Sequence, residues 1–141
     1  MSMAVQDRAW SVVVPHHASG ARLARQQLAT QLHGFIPPAL LADAVAVAAE
    51  LLGNAVQHAA PLPGGVIRLA CRAGVVPGDD AYVQLRVTDG GSPMVPVERV
   101  ANPDSVDGRG LAIVAALAFA WGVDPDEDSQ CVWAELRSPV S

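Results

Sequence analysis

The stretch ALLADAVAVAAELLGNAVQHAA, Ala39 to Ala60, constrains the fold more than any other part of the chain. It reads as one helix built almost wholly from apolar side chains. Pro37-Pro38 opens it and Pro61 stops it soon after Ala59. A helix of this composition belongs inside a protein, packed against another layer. Two groups interrupt it, Glu50 and Asn54, four residues apart and therefore on one stripe, which His58 extends by another turn. An isolated carboxylate in an apolar interior costs several kcal/mol, so Glu50 must be paired, protonated or turned toward solvent.

The rest of the chain supplies a sheet for this helix to cover. Trp10 to Val14 is a short β-branched run ended by Pro15, a first strand. From Ala18 to Leu32 the apolar residues Ala21, Leu23, Ala24, Leu28 and Leu32 recur at helical spacing, with Gly34 as the C′ stop. VIRLACR (66–72) and YVQLRVT (82–88) alternate with a period of two and are joined by residues 74–80, which predicts an antiparallel pair. Ser92 to Asp107 holds three prolines and several charges without a period; a loop of that length in so small a protein is often functional. Gly108 to Ala120 predicts a third, buried helix, and Trp121–Val123 and Cys131–Arg137 two more strands around the acidic turn Asp124–Asp128. The order predicts one α+β domain over residues 1–141, a two-layer sandwich whose mixed, mostly antiparallel sheet is covered on one face by helices.

Composition narrows the chemistry. With 141 residues, 51% of them hydrophobic and 16% charged, the chain has material for one real core. A net charge of −5 with no basic tract is a poor footprint for nucleic acid or an anionic membrane, and neither partner is expected. All nine positive side chains are arginines, which excludes a lysine Schiff base and the lysine-dependent phosphate sites of P-loop proteins. The first ten residues carry no signal-peptide pattern, and the longest uncharged apolar run, Leu111 to Val123, is too short to span a bilayer; a cytoplasmic location is expected. Cys71 and Cys131 then read as reduced packing residues rather than a disulfide, and the four histidines lack zinc-site spacing.

Three places carry candidate chemistry, and each has a plainer alternative. Glu50 and Asn54 either bond locally and look into water, or face a bound Mg-nucleotide. In the second case the Asn54 oxygen is a ligand to Mg2+, which takes few protein ligands beside phosphates and waters. Glu50 is then a general base for a water or a substrate hydroxyl. Asp89, followed by Gly90 and Gly91, either makes a tight hairpin or accepts a hydrogen bond from an exocyclic amino group such as adenine N6. GRGLAIVAALAFA is either a glycine turn into a core helix or a phosphate site, with free N–H groups at the helix start and Arg109 supplying charge.

Taken in order, acid-amide helix, strand ending in Asp-x-Gly, long loop and Gly-x-Gly-Leu opening a helix, the chain resembles the GHKL (histidine kinase-like) ATPases. ELLGNAVQHA is similar to the N box, VTDGG to the first glycine box and GRGLAIV to the second. The small size, the first strand-helix unit and the ending CVWAELR look most like the anti-sigma factor serine kinases of actinobacteria, from about Ala9 to Arg137.

The resemblance implies a Bergerat-type fold, ATP and Mg2+ as ligands, and residues 92–107 as a lid. It implies Glu50 as general base, Asn54 as Mg2+ ligand and His58 near the phosphates. It implies Asp89 as the adenine-binding residue with Gly91 beneath the base, and Gly108, Arg109, Gly110 and Leu111 at the phosphates. The implied partners are an anti-anti-sigma (STAS-type) protein, phosphorylated on a serine, and a sigma factor held inactive. Two positions depart from the pattern: Pro93 stands where the first glycine box continues with glycine, and Cys131, with Ser129 nearby, where the family often has a hydroxyl near the adenine. A partner-binding switch without phosphorylation and a detached histidine-kinase catalytic domain are the competing readings. Arg8, Arg22 and Arg25 read as solvated charges or as a protein-binding or homodimer face.

Overall fold

The computed structural model describes residues 6–75, 81–91 and 109–138. The expected lid, Gly108 and most of the 74–80 link lie outside the described residues. The elements are β1 (Gln6–Pro15), α1 (Ala18–Leu32), α2 (Pro38–His58), β2 (Val66–Val75), β3 (Ala81–Asp89), α3 (Arg109–Leu117), β4 (Ala120–Pro125) and β5 (Gln130–Ser138). Five strands form one sheet in the order β1-β2-β3-β5-β4, and the helices cover one face of it. This is the expected two-layer α+β arrangement. All four pairings are antiparallel, so the parallel component implied by a mixed sheet is not present among the described strands.

Directly opposed residues of antiparallel strands point to the same face, so the register sorts the side chains. Val14, Ile67 and Leu69 share the covered face with Leu85, Val87, Val132, Ala134 and Leu136. Against it α1 sets Ala24, Leu28 and Leu32, one residue per turn, and α2 sets Ala44, Val47, Ala48, Leu51, Leu52 and Ala55. Each fully enclosed leucine or isoleucine contributes about 1.5–3 kcal/mol of transfer free energy. By length and composition α2 is apolar enough to cross a membrane, but its apolar stripe is spent on this core. The opposite face carries Arg68, Arg72, Tyr82, Gln84, Arg86 and Trp133. A side chain at Gly74 would strike the Tyr82 ring and one at Gly122 the Trp133 ring, so the aromatics lie flat across glycines of the neighbouring strands.

Three boundaries differ from the sequence reading. β1 starts at Gln6, because Asp7 and Arg8 are held by partners far along the chain: Asp7 by Arg72, and Arg8 by Gln31 O at 2.6 Å and the Phe35 ring at 4.3 Å. The buried third helix expected to run to Ala120 ends at Leu117, since the Phe119 N–H donates to Glu135 O and the chain joins the sheet. It is also only half buried: Leu111 and Val114 are enclosed while Ile113 and Leu117 are exposed. The corner between β1 and α1 is tight: His17 Nδ1 accepts from the Ser19 N–H at 3.1 Å as an N-cap, and a side chain at Gly20 would run into Pro15 O.

Candidate functional site

The site is built where the C-terminal end of α2 meets the C-terminal end of β3. Glu50 and Asn54 lie on the flank of α2, partly buried, between its core stripe and its solvent face; His58, the last residue of the helix, is exposed. Beyond the helix the chain makes two reciprocal backbone bonds with the turn after β3. The Gly90 N–H donates to Ala60 O at 2.7 Å, and the Ala60 N–H donates to Gly91 O at 2.9 Å. Gly90 is needed for space, since a side chain there would strike Pro61 O. Gly91 is needed for conformation, with φ at +92°, and nothing stands within 4 Å of where its Cβ would be.

Asp89 ends β3 with only 2% of its surface exposed, although it carries a carboxylate. Its Oδ1 accepts from the Gly91 N–H at 2.7 Å, which closes the turn and keeps the carboxyl in place. Burial pushes its pKa above the ordinary carboxylate value, against the opposing pull of the Gly91 N–H and the nearby His16. Its cross-strand partner is Gln130, 5% exposed. Among the described residues these two are the only buried polar side chains, and they sit side by side at one end of an otherwise apolar face. A cleft of about 380 Å³ opens beside them, lined by Gly90, Gly91, Pro125, Ser129, Gln130 and the acidic turn.

The register corrects one reading. Cys131 was expected near the base, but it opposes Thr88, and both point to the uncovered face with Arg86. Its thiol is raised by burial, with Arg86 and Thr88 pulling the other way. Gln130 takes the place beside Asp89 instead, and Ser129 lines the cleft. The signal was available: the alternation Val132, Ala134, Leu136, continued one step back, points Gln130 inward and Cys131 outward. Cys71 lies on the covered face, so a sheet layer separates the two free thiols.

The phosphate end is described only in part. Gly108 lies outside the described residues; Arg109 and Gly110 form the start of α3, Leu111 is buried, and α3 packs against α2. Thus the structure brings Glu50, Asn54, His58, Asp89 and Gly91 to one region, around the joined ends of α2 and β3. A carboxylate buried with one oxygen satisfied retains an acceptor for a donor outside the chain, and Gln130 brings an amide able to donate and accept. Such a corner fits a flat heterocycle with ring and exocyclic nitrogens. Among the described residues no three His, Cys, Asp or Glu side chains gather as metal ligands, a donor set suited to an ion held mainly by a ligand's phosphates.

Comparison with known proteins agrees with this geometry. No curated protein matches the sequence. Among solved structures, the chain is similar to the crystal structure of the RsbU and RsbW domains of Rv1364c from Mycobacterium tuberculosis, at 20% identity and a TM-score of 0.66. The likeness covers 94% of this chain and 33% of that one, so the chain spans a third of that protein's length, and what the two share is the fold. The model of the histidine kinase-like ATPase domain matches residues 14–136. That match runs from the last buried residue of β1 to the last buried residue of β5 and takes in the whole joined corner, so the chain belongs to the histidine kinase-like ATPase family.

Proposed function

We propose that the chain binds Mg-ATP at the corner between α2 and β3 and transfers the γ-phosphoryl group to a serine of a protein partner. The observation that carries this is the buried Asp89–Gln130 pair at the cleft, strapped through Gly90 and Gly91 to the helix that bears Glu50 and Asn54. The Asp89 carboxylate accepts from the exocyclic amine of adenine, and Gly91, with no side chain, leaves room for the ring. Asn54 offers its side-chain oxygen to Mg2+, with His58 and the residues Gly108 to Leu111 toward the phosphates. When bound, the ion neutralises charge on the phosphate oxygens. Glu50 takes the proton from the serine hydroxyl as its oxygen bonds to phosphorus and ADP departs; positioning by the two elements contributes most of the rate.

Family membership supports nucleotide binding at the general level, and the likeness to a fold that includes an RsbW domain supports a place in sigma-factor control. On that reading the phosphorylated partner is an anti-anti-sigma (STAS-type) protein, the alternate partner is a sigma factor, and the site of action is the cytoplasm. Pro93, standing where a glycine is usual, supports a second reading, a switch that binds its partner without phosphorylating it. Incubation with Mg-ATP and the cognate anti-anti-sigma partner separates the two. Phosphate transfer that falls by about 10²–10⁴-fold in Glu50→Ala supports the kinase. Equal transfer by both proteins removes Glu50 from the mechanism, and no transfer by either, with the partner still bound, supports the switch.

A further inference from the structure

His16 has no part in the chemistry above, yet four elements meet at it. It follows Pro15, the last residue of β1, and its backbone N–H donates to Gly65 O at 2.9 Å, just before β2. Its side chain crosses to the end of α2, where Nε2 lies 2.8 Å from both Ala55 O and Ala59 O. Two carbonyls can only accept, so Nε2 carries the proton whichever charge the ring has, and its single N–H is shared between them. The need is evident in the helix end. α2 has no glycine at its C-terminus; Ala59 is extended (φ −122°, ψ 158°), and the carbonyls of the last turn have no further helical donors. The imidazole of a residue about forty positions away supplies the cap.

That cap is coupled to the candidate site through one continuous path. Ala55 follows Asn54 and Ala59 follows His58, so both accepting carbonyls belong to the turn that ends the site helix. The next residue, Ala60, makes the reciprocal bonds with Gly90 and Gly91, and Gly91 in turn holds Asp89 Oδ1. The geometry points to His16 as a positioning residue that fixes the end of α2 against the Asp89–Gly91 corner and so sets the separation between the two ends of the nucleotide site. This role rests on the nucleotide reading given above. It differs from plain helix capping in what its loss disturbs. Removing the imidazole frees Ala59 and Ala60, and with them the base corner, while the Glu50–Asn54 stripe one to two turns earlier stays seated by Leu51, Leu52 and Ala55. The His16 charge also bears on the Asp89 carboxyl, which is consistent with their closeness.

The test uses the full chain with His16→Leu, which removes the donor, and His16→Gln, whose amide N–H reaches toward the same carbonyls. Two readouts are followed: amide hydrogen exchange at Ala60 and Gly90 without ligand, and calorimetric titration with Mg-ATP and with magnesium tripolyphosphate, which engages only the phosphate end. In His16→Leu we expect both amides to exchange about tenfold faster or more, and ATP affinity to fall about tenfold with tripolyphosphate affinity nearly unchanged. His16→Gln should recover most of both. If the leucine variant does not fold, His16→Asn, too short to reach both carbonyls, takes its place. Unaltered exchange at Ala60 and Gly90, or an equal loss for both ligands, overturns the positioning role alone. Failure of the unsubstituted chain to bind ATP overturns the nucleotide reading and this role with it.

Discussion

Asp89 is a residue whose burial makes sense only in terms of what it can bind. Its raised pKa means that the folded chain holds the proton at pH values where the unfolded chain has lost it. The folded state therefore loses stability, relative to the unfolded state, as pH rises from the ordinary carboxylate range through the raised value. At neutral pH the ionised group is a cost. Asn at this position keeps an oxygen for the Gly91 N–H and carries no charge. Asp89→Asn should therefore be more stable than the unsubstituted chain at neutral pH, by about 0.5–2 kcal/mol, while losing ATP binding. Urea unfolding at neutral and acidic pH checks this: the advantage should shrink as the pH falls through the carboxylate range, and a less stable variant at neutral pH would contradict it.

At the scale of elements, the sheet separates two chemistries by parity alone. Cys71 lies on the covered face, and burial pushes its thiol up to about 12. Cys131 lies on the open face, half-buried, with Arg86 and Thr88 opposing the effect of burial. A thiol-specific alkylating reagent at neutral pH should modify Cys131 first and reach Cys71 only on unfolding, with no Cys71–Cys131 disulfide formed under oxidant. Mass spectrometry of a time course shows which; equal rates, or that disulfide, would contradict the assigned register. The same parity explains what could be read in advance. α1 was legible to the residue, because its apolar spacing and Gly34 are local signals. The start of β1 was not, because Asp7 and Arg8 carry no strand pattern and are held by residues distant in sequence. The end of α3 was not, because an unbroken apolar run holds no stop signal and the sheet, through Glu135 O, captures the chain at Phe119.

At the scale of the molecule, the two-layer arrangement brings the end of α2 and the end of β3 together although about thirty residues separate them. The sequence carried Glu50, Asn54, Asp89 and the glycines as separate weak signals; their order suggested one site, and the fold joins the α2 and β3 parts of it. What it could not carry was the junction itself: the Ala60 strap, the His16 bonds and the choice of Gln130 over Cys131 depend on cross-strand register and on long-range carbonyl positions. The account stands on nucleotide binding at that junction. Titration of the purified chain with ATP, with and without magnesium, measures it most directly. The account predicts saturable binding that weakens by about tenfold or more when magnesium is chelated; binding that is absent, or indifferent to the metal, would contradict it.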